Sequence, residues 1–548
     1  MSTKDLVKKF HSLAPTSPVN SISSSFSKAD STCDSNNDAN EHFSKRSSTD
    51  NSAKGKKSKK HKEKRRPKLS SVDGKVVDSL SLSYFFKDQT KEKCSYDAIS
   101  PASSVFIHGY GTIPVIKGDF QIMPEKVQAF VAEKVAMMQP AAVFICDGSL
   151  FEFNALTEEM EHSYQLKRLT GSGSSVFLAL SDPDDTKHIG KCMVITTKKR
   201  ATTESSGKAE RKLTNWMSAY RFRLSLASRF PGCMRGRVMF IVPFSMGPIG
   251  SYNSMNGIQL TDSPYIAAQM HLITRVSAAV WDAIGNSEFI KCLHSVGLPK
   301  PCTSKLVHNW SCNIEKTFVG HWMELREIWS FGSNVVENAL LAKECLSLRM
   351  ASSIGRDEGW LAEHMAIISI TNPDGKEFFV GVASPPGVGK TTFATMKPSL
   401  TGWRVQLLGD DVAWLKFDET DGKMYAMNPE NGVFGLAVGV NKQHNPDLLE
   451  MLNKDAIFTN VAETSDGRAW WQRIELGLLT KPILDLHLRK DVSSGEGNVI
   501  ASSGARFAAR FKQYSNLHKQ WDDPKGVPLS AILFCSRRSD GVLLHFGR

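Results

Sequence analysis

The chain has 548 residues, of which 41% are hydrophobic, and this is enough for two or more domains with sizeable cores. Its formal net charge is +12, but residues 1–70 hold 16 Lys and Arg against 7 Asp and Glu and so carry most of that charge. The rest of the chain is nearly neutral, which argues against a specific nucleic-acid-binding surface there. Because no apolar run approaches the roughly 18 residues of a membrane helix, we expect a soluble protein.

Ten cysteines are scattered along the chain without any C-x-x-C pair. This distribution predicts reduced, mostly buried thiols in an intracellular protein, and it argues against a disulfide framework or a zinc site. The cysteines stand at positions 33, 94, 146, 192, 233, 292, 302, 312, 345 and 535.

The first hundred residues are rich in Ser, Asn, Asp and Lys and show neither a helical nor a strand period. We predict that residues 1–100 form a disordered extension, because such a composition cannot offset the entropy lost on ordering. A dense basic run at 54–68 is compatible with a weak nuclear address or with a simple solvated tail. Interspersed Asp and Glu argue against a mitochondrial transit peptide, so a cytoplasmic location is predicted.

The chain from residue 101 onward alternates between helical and strand patterns. Glu125–Met138 follows Pro124 and places apolar side chains at helical spacing, which predicts a helix. Apolar runs at 141–146, 175–180 and 237–244 predict buried strands. The glycine-rich segment 246–251 then predicts a loop with exposed backbone. The fold class predicted from this alternation is α/β.

A candidate phosphate-binding loop lies at Ser384–Thr392, between an apolar run that predicts a buried strand and a short helical stretch. Gly387 and Gly389 allow backbone N–H groups to approach an anion, and Lys390 can reach the outer phosphates of a nucleotide. Thr391 can hold a divalent ion, and Thr392 completes the motif. The strict pattern has glycine where Ser384 stands, so the motif alone also fits an ordinary surface turn.

Several long strings in the chain resemble the GTP-dependent phosphoenolpyruvate carboxykinases and follow that family's order over roughly residues 120–545. They are FPGCM at 230–234, PFSMGP at 243–248, TDSPY at 261–265, EGWLAEHM at 358–365, GDDVAW at 409–414, NPENG at 428–432 and FTNVAETSDG at 458–467.

This resemblance implies a two-domain carboxykinase fold whose C-terminal P-loop domain binds a mononucleotide. We place the substrate-side domain at 101–345 and the nucleotide and metal domain at 346–548. The family converts oxaloacetate and GTP to phosphoenolpyruvate, GDP and CO₂ in gluconeogenesis, with Mn²⁺ and Mg²⁺ as metal cofactors. The expected partners are therefore these nucleotides and acids, with no membrane partner, and the expected state is a monomer.

The resemblance also assigns roles to individual residues of this chain. It implies that Lys390, Arg506 and His364 are catalytic, and that Arg537 contacts nucleotide phosphates beside the loop residues Gly387, Gly389, Lys390, Thr391 and Thr392. The implied metal ligands are His364, Asp411, Thr391 and Glu344, the last of which replaces a lysine in the family pattern.

The substrate side departs from the family pattern at several positions. Val335 stands for a substrate-contacting tyrosine, and Val336 and Glu337 stand for two glycines that lie against the substrate. The family's substrate-carboxylate arginine aligns with His188 or Lys187, neither of which offers its bidentate fork. The bulk of the valines and the charge of Glu337 would oppose a bound dianion.

Three hypotheses remain open from the sequence. The chain is an active carboxykinase, a degenerate member that binds metal and nucleotide without turnover, or a general P-loop ATPase or nucleic-acid-associated protein. The sequence as given ends at Arg548, before the family's phenylalanine-rich guanine pocket, so we expect an incomplete C-terminal domain. Whether the chain turns over oxaloacetate is left undecided by these observations.

Overall fold

The computed structural model describes residues 96–100, 104–187, 189–196, 215–302, 305–471, 474, 483–485, 490–491 and 504–536. The basic run at 54–68 lies outside the described residues, as does the predicted disordered extension up to residue 95. The last five residues of that predicted extension, Tyr96–Ser100, form the first strand. Among the described residues, no helix combines the length and the apolar character needed to cross a lipid bilayer.

The described residues form nine α-helices and twenty-nine strands. The helices are α1 (Glu125–Met138), α2 (Leu150–His162), α3 (Ala219–Ala227), α4 (Pro264–Ile273), α5 (Ala279–Ile284), α6 (Val336–Ala339), α7 (Ala351–Glu358), α8 (Lys390–Ala394) and α9 (Pro446–Met451). The first fourteen strands are β1 (Tyr96–Ser100), β2 (Ser104–Ile107), β3 (Gly111–Lys117), β4 (Ala142–Ile145), β5 (Lys167–Arg168), β6 (Val176–Ala179), β7 (Cys192–Ile195), β8 (Asn215–Met217), β9 (Val238–Met246), β10 (Met255–Thr261), β11 (Arg275–Val276), β12 (Ile290–Ser295), β13 (Phe318–Trp322) and β14 (Glu327–Phe331). The others are β15 (Leu361–Glu363), β16 (Met365–Thr371), β17 (Glu377–Ala383), β18 (Arg404–Gly409), β19 (Ala413–Phe417), β20 (Met424–Met427), β21 (Gly432–Leu436), β22 (Ala456–Thr459), β23 (Ala462–Thr464), β24 (Ala469–Trp470), β25 (Ile483–Asp485), β26 (Lys490–Asp491), β27 (Arg506–Arg510), β28 (Val527–Pro528) and β29 (Ala531–Phe534).

The largest sheet has twelve strands in the order β1-β2-β3-β4-β9-β10-β12-β14-β13-β7-β8, with β11 beside β9. Its pairs β3–β4, β4–β9, β10–β12 and β12–β14 are parallel, and helices connect several of them. The predicted α/β class is therefore confirmed. The predicted strand at 237–244 extends to Met246, because β9 pairs with β10 out to the partners Met246 and Met255.

Helix α1 confirms the prediction made from its apolar spacing. It begins after Pro124 and ends at Met138, where Gln139 adopts a left-handed conformation with φ 57°. Its apolar side chains at helical spacing are all fully buried, namely Val127, Val131, Val135 and Met138. The helix is thus specified by its sequence period and by the prolines on either side of it, Pro124 and Pro140.

A five-stranded sheet, in the order β21-β27-β22-β6-β5, joins distant parts of the chain. Strand β6 pairs in parallel with β22, so that Val176 lies opposite Ala456 and Ala179 lies opposite Thr459. The four residues of each strand are all buried. Backbone hydrogen bonding therefore holds the region near residue 176 to the region near residue 456.

The predicted phosphate-binding loop follows strand β17, which lies inside a four-stranded sheet in the order β18-β16-β17-β29. Strand β17 ends at Ala383 and α8 begins at Lys390, which confirms the predicted strand, loop and helix in that order. Strand β18 ends at Gly409, and Asp410 and Asp411 follow it. Because β16 pairs with both β17 and β18, these two acids lie near the loop that follows β17.

His321 is a fully buried histidine on β13 whose ring contacts Met193 O at 3.1 Å through Nδ1. Burial lowers the pKa of His321 from its usual 6.5 to about 3, and the nearby charge of Arg349 acts in the same direction. The folded state therefore holds the ring neutral, while the unfolded chain takes up a proton below the usual pKa.

We therefore expect the free energy of unfolding to fall as the pH is lowered from 6.5 towards 3, with a contribution from His321 of up to about 1.4 kcal/mol per pH unit. Urea unfolding of the parent and of His321→Gln at several pH values measures this contribution as a difference in slope. The matched control is His444→Gln, which changes an exposed histidine. Equal slopes for the parent and His321→Gln would contradict the prediction.

Candidate functional site

The loop from Ser384 to Gly389 has the backbone that a phosphate cradle needs. Gly387 and Gly389 have φ values of +77° and +110°, and a Cβ atom at Gly389 would meet nothing within 4 Å. These positive φ values favour glycine, and such a loop can present its backbone N–H groups to an anion. Helix α8 has only five residues, so the loop amides and Lys390 are the main groups available to an anion.

Lys390 is buried at the end of this loop, where it contacts both the start of the loop and Asp411. Its Nζ donates a hydrogen bond to Ser384 O at 3.0 Å and lies 3.4 Å from Asp411 Oδ1. The hydroxyl of Ser384 is buried, and its Oγ has no hydrogen-bond partner in the described part of the chain. The loop thus holds a preorganised ammonium group next to an unused hydroxyl.

Thr391 and Asp410 form a second pair at the end of the loop. The Thr391 hydroxyl donates to Asp410 Oδ2 at 3.1 Å, while the buried Asp410 Oδ1 has no hydrogen-bond partner among the residues the structure describes. Burial and then the charge of Asp411 raise the pKa of Asp410 to about 6, against the opposing effect of Thr391. A hydroxyl beside a carboxylate with a free buried oxygen suits Mg²⁺, which prefers oxygen ligands.

Asp411 accepts contacts from three nitrogen-bearing side chains. Its Oδ1 lies 2.8 Å from His364 Nε2, and its Oδ2 lies 3.1 Å from Lys343 Nζ. Burial alone would raise the pKa of Asp411, but Lys343, His364 and Lys390 together hold it well below its usual range. The carboxylate is therefore ionised, and His364 and Asp411 offer one imidazole and one carboxylate to a borderline or hard cation such as Mn²⁺.

Lys343 also contacts a second buried carboxylate, Glu430, at 2.5 Å. Both side chains are almost fully shielded from solvent, and Glu430 Oε2 has no hydrogen-bond partner within the described ranges. Burial raises the pKa of Glu430 to about 7, although Lys343 opposes the rise. Lys343 lies at the start of a π-helix, Ala342–Met350, which orients it toward these two acids.

The predicted substrate side contains two ion pairs made by the chain itself. Glu337 Oε1 accepts a hydrogen bond from Arg506 Nε at 3.2 Å. Both oxygens of Glu344 accept from Lys187 Nζ at 2.6 Å. Each of the two acids that depart from the family pattern is therefore paired with a cation of the chain.

A small cavity borders Glu337 and the pair of Glu344 with Lys187. Its volume is about 10 Å³, which is close to the smallest volume that holds one water molecule. Its lining residues are Lys187, Cys192, Val319, Glu337, Asn338, Glu344, Cys345 and Arg349.

The structure brings some of the predicted site residues together and separates others. His364, Asp411, Lys390 and Thr391 lie in one region, whereas Glu344 contacts Lys187 instead of joining them. Within the described residues, the ligand atoms of Glu344, His364 and Asp411 do not form a group within 4.8 Å of one another.

Other predicted residues lie at the edge of this region or outside what is described. Thr392 is partly buried, and its carbonyl oxygen accepts a hydrogen bond from Asn445 Nδ2 at 2.9 Å. Arg506 is on β27 and pairs with Glu337. Arg537 and His188 lie outside the described residues, so their predicted roles stay predictions.

Comparison with protein families agrees with the geometry around the loop. A model of the phosphoenolpyruvate carboxykinase N-terminal domain matches residues 129–356, and a model of the phosphoenolpyruvate carboxykinase C-terminal P-loop domain matches residues 360–546. The chain belongs to the GTP-dependent phosphoenolpyruvate carboxykinase family. The resemblance seen in the sequence is therefore confirmed, and so is the carboxykinase fold with a P-loop domain. The two models meet between residues 356 and 360, and the proposed domain boundary at 345 stays a prediction.

Individual relatives support the same assignment to the carboxykinases. The chain is 43% identical over 439 residues to phosphoenolpyruvate carboxykinase [GTP] of Haemonchus contortus, which covers 80% of this chain and 71% of that protein. It is 43% identical to the cytosolic enzyme of Bos taurus over 79% of this chain and 69% of that protein. It is 41% identical to the mitochondrial enzyme of Homo sapiens over 83% of this chain and 71% of that protein. Because the named relatives include a cytosolic and a mitochondrial enzyme, family membership does not decide the cellular location of this chain.

Sequence reasoning missed three residues of the candidate site: Asp410, Lys343 and Glu430. Asp410 stands next to the residue that was named, and the two acids differ in their contacts: Asp410 contacts Thr391, whereas Asp411 contacts His364 and Lys343. Glu430 lies inside one of the family strings, where a buried acid flanked by Asn and Pro was a usable signal. Lys343 gave no local signal, since its partners lie far along the chain.

Proposed function

We propose that this chain binds the phosphates of GTP with Mg²⁺ at the loop 384–392, and that carboxykinase turnover in it is suppressed. The observation that carries the proposal is the double ion pairing of the substrate side, Glu337 with Arg506 and Glu344 with Lys187. The proposed function keeps the family's nucleotide binding, while acidic side chains of the chain itself pair with the cations on the substrate side.

The nucleotide part of the proposal rests on the loop and on the two acids behind it. Lys390 is positioned to contact the outer phosphates, and the loop amides can bind phosphate oxygens. Thr391 and Asp410 would hold Mg²⁺, and the free buried oxygen of Asp410 is the feature that such an ion would satisfy. When bound, Mg²⁺ neutralises phosphate charge and orients the triphosphate.

Suppressed turnover follows from the charges on the substrate side. Oxaloacetate is a dianion, and its binding requires cations that are free to pair with it. Here Arg506 and Lys187 are each already paired with a carboxylate of the chain, and a substrate carboxylate would have to displace that carboxylate. A hydrogen bond to a charged group contributes about 1.5–3 kcal/mol, so the loss of two such contacts weakens substrate or transition-state binding by orders of magnitude.

The family's own reaction is the second candidate function, in which oxaloacetate and GTP give phosphoenolpyruvate, GDP and CO₂ in gluconeogenesis. Identities of 40–43% to the carboxykinases and the contact between His364 and Asp411 favour it. His364 and Asp411 would hold Mn²⁺, which polarises the substrate when bound. Glu344 would have to leave Lys187 to join them. A cytoplasmic monomer with domains at 101–345 and 346–548 is proposed for either function.

One pair of measurements on the purified chain separates the two functions. Calorimetric titration with Mg–GTP tests for nucleotide binding, and a coupled assay with oxaloacetate, GTP and Mn²⁺ tests for turnover. We expect binding with turnover at least about 100-fold below that of a typical family enzyme, as expected when two charged contacts are lost. Turnover at the family's ordinary rate would contradict the suppression, and no heat of Mg–GTP binding would contradict the nucleotide site.

A further inference from the structure

A buried group of metal-binding side chains lies apart from the phosphate loop. One ligand atom each from Cys146, Glu152 and His271 lies within 4.8 Å of the others, and all three residues are buried. Cys146 directly follows β4, Glu152 is in the first turn of α2, and His271 is in the last turn of α4. Three separate elements therefore converge on one point.

The turn between Cys146 and Glu152 is held firmly in place. Gly148 has a φ of +78°, and a Cβ atom there would lie 1.8 Å from Val276 O, so the turn packs directly on the chain after α4. The Ser149 side chain caps α2 by accepting from Glu152 N. The Glu152 carboxylate in turn accepts from the backbone N–H groups of Asp147 and Gly148 at 2.9–3.2 Å. These bonds fix the carboxylate before any ligand arrives.

His271 brings its imidazole ring to the same point. Neither ring nitrogen has a hydrogen bond of good geometry among the described residues, and the side chain is fully buried. Nε2 nevertheless lies 2.7 Å from Glu152 Oε1. A buried imidazole without aligned hydrogen bonds is costly unless another group satisfies it.

The charges around the group leave room for a dication. Lys117 Nζ contacts both Glu152 and Asp147, and the contact with Asp147 measures 2.7 Å. If Lys117 keeps Asp147, then Cys146 as a thiolate and Glu152 as a carboxylate together balance one divalent ion. The buried group is then neutral as a whole, as burial requires.

We propose that Cys146, Glu152 and His271 bind one Zn²⁺ ion. A thiolate, an imidazole and a carboxylate are the ligands that zinc takes in proteins, and their mixture of soft and hard donors favours zinc over Mg²⁺ or Mn²⁺. Binding replaces the thiol proton of Cys146, which passes to solvent, with a sulfur–zinc bond. The scattered cysteines argued against a zinc site in the sequence. That argument considers cysteine pairs only, whereas two of the three proposed ligands are Glu152 and His271, and His271 is distant in the chain.

Metal analysis of the full-length protein tests this proposal. The chain is purified, freed of loosely bound metal, incubated with Zn²⁺ alone and analysed by mass spectrometry, and we expect about one zinc per chain. Substitution with Co²⁺ alone should give a thiolate-to-cobalt charge-transfer band, which reports a sulfur ligand directly. We expect Cys146→Ser to abolish the band and His271→Gln to weaken Zn²⁺ affinity about 10- to 100-fold.

Two variants distinguish this site from other metal or thiol sites. Cys292→Ser removes another fully buried thiol that is not part of the group, and it should leave the band intact. Asp411→Asn removes a predicted ligand near the phosphate loop, and it should leave the cobalt band intact. The proposal is overturned if the parent chain gives no cobalt–thiolate band, or if the band survives Cys146→Ser. The parent measurement decides the matter even if a variant fails to fold.

Discussion

Restoring the family pattern on the substrate side is expected to raise carboxykinase turnover at least about 100-fold above that of the parent chain. The variant carries four changes, Val335→Tyr, Val336→Gly, Glu337→Gly and Glu344→Lys. A coupled assay with oxaloacetate, GTP and Mn²⁺ measures kcat/KM for both proteins under the same conditions.

The expected gain has two physical sources. Removal of the Glu337 carboxylate frees Arg506, which now donates to it at 3.2 Å, and the loss of the Val336 side chain lets a substrate approach the backbone. Replacement of Glu344 frees Lys187 and adds a second positive charge where an enolate would develop. Each freed cation is worth about 1.5–3 kcal/mol when it pairs with a charged group in the transition state.

A matched charge change tests whether the gain is local. Glu419→Lys alters an exposed acid by the same two charge units as Glu344→Lys, and it should leave turnover unchanged. Melting curves confirm that the four-residue variant is folded before it is assayed. If the folded variant shows no gain, the substrate-side ion pairs do not limit turnover.

Replacement of Lys390 by alanine is expected to weaken Mg–GTP binding by about 10- to 150-fold, which corresponds to the loss of one contact between an ammonium group and phosphate. The side chain is buried under the loop, where it already faces Ser384 O at 3.0 Å and is held ready for an anion. Asp411 keeps its contacts to Lys343 and His364 in the variant, so its charge stays compensated.

Calorimetric titration is the measurement of choice for this variant, since loss of a buried lysine also changes the melting temperature of the free protein. Lys397→Ala is the control, because Lys397 is exposed just beyond α8 and carries the same charge. An unchanged affinity in Lys390→Ala would exclude the loop as the phosphate site. Equal losses in both variants would point to a general charge effect.

Local sequence signals predicted the framework of the fold. Helix α1 follows from its period and its flanking prolines, and β4, β6 and β9 follow from continuous apolar runs, since strands covered on both faces need no alternation. The phosphate loop was also predictable from a local signal. Glycines at two positive φ positions, between a buried strand and a helix, leave few other conformations open.

The partners of the charged side chains could not be predicted in the same way. Glu344 and Lys187 are 157 residues apart, and Glu337 and Arg506 are 169 apart, so no local pattern couples them. The sequence identified Glu344 as a departure from the family pattern but could not supply its contact with Lys187, and its predicted role as a metal ligand stays a prediction. Glu344 lies in the π-helix that begins at Ala342, a local conformation that the sequence did not predict.

The parallel pairing of β6 with β22 also bears on how this chain can be divided. These strands belong to the segments matched by the two different family models, yet they exchange backbone hydrogen bonds within one sheet. A cut between residues 356 and 360 would leave each fragment with an open strand edge that invites aggregation. The two fragments should therefore be soluble when produced together and not when produced alone. A chimera with a relative would have to take both segments from the same protein.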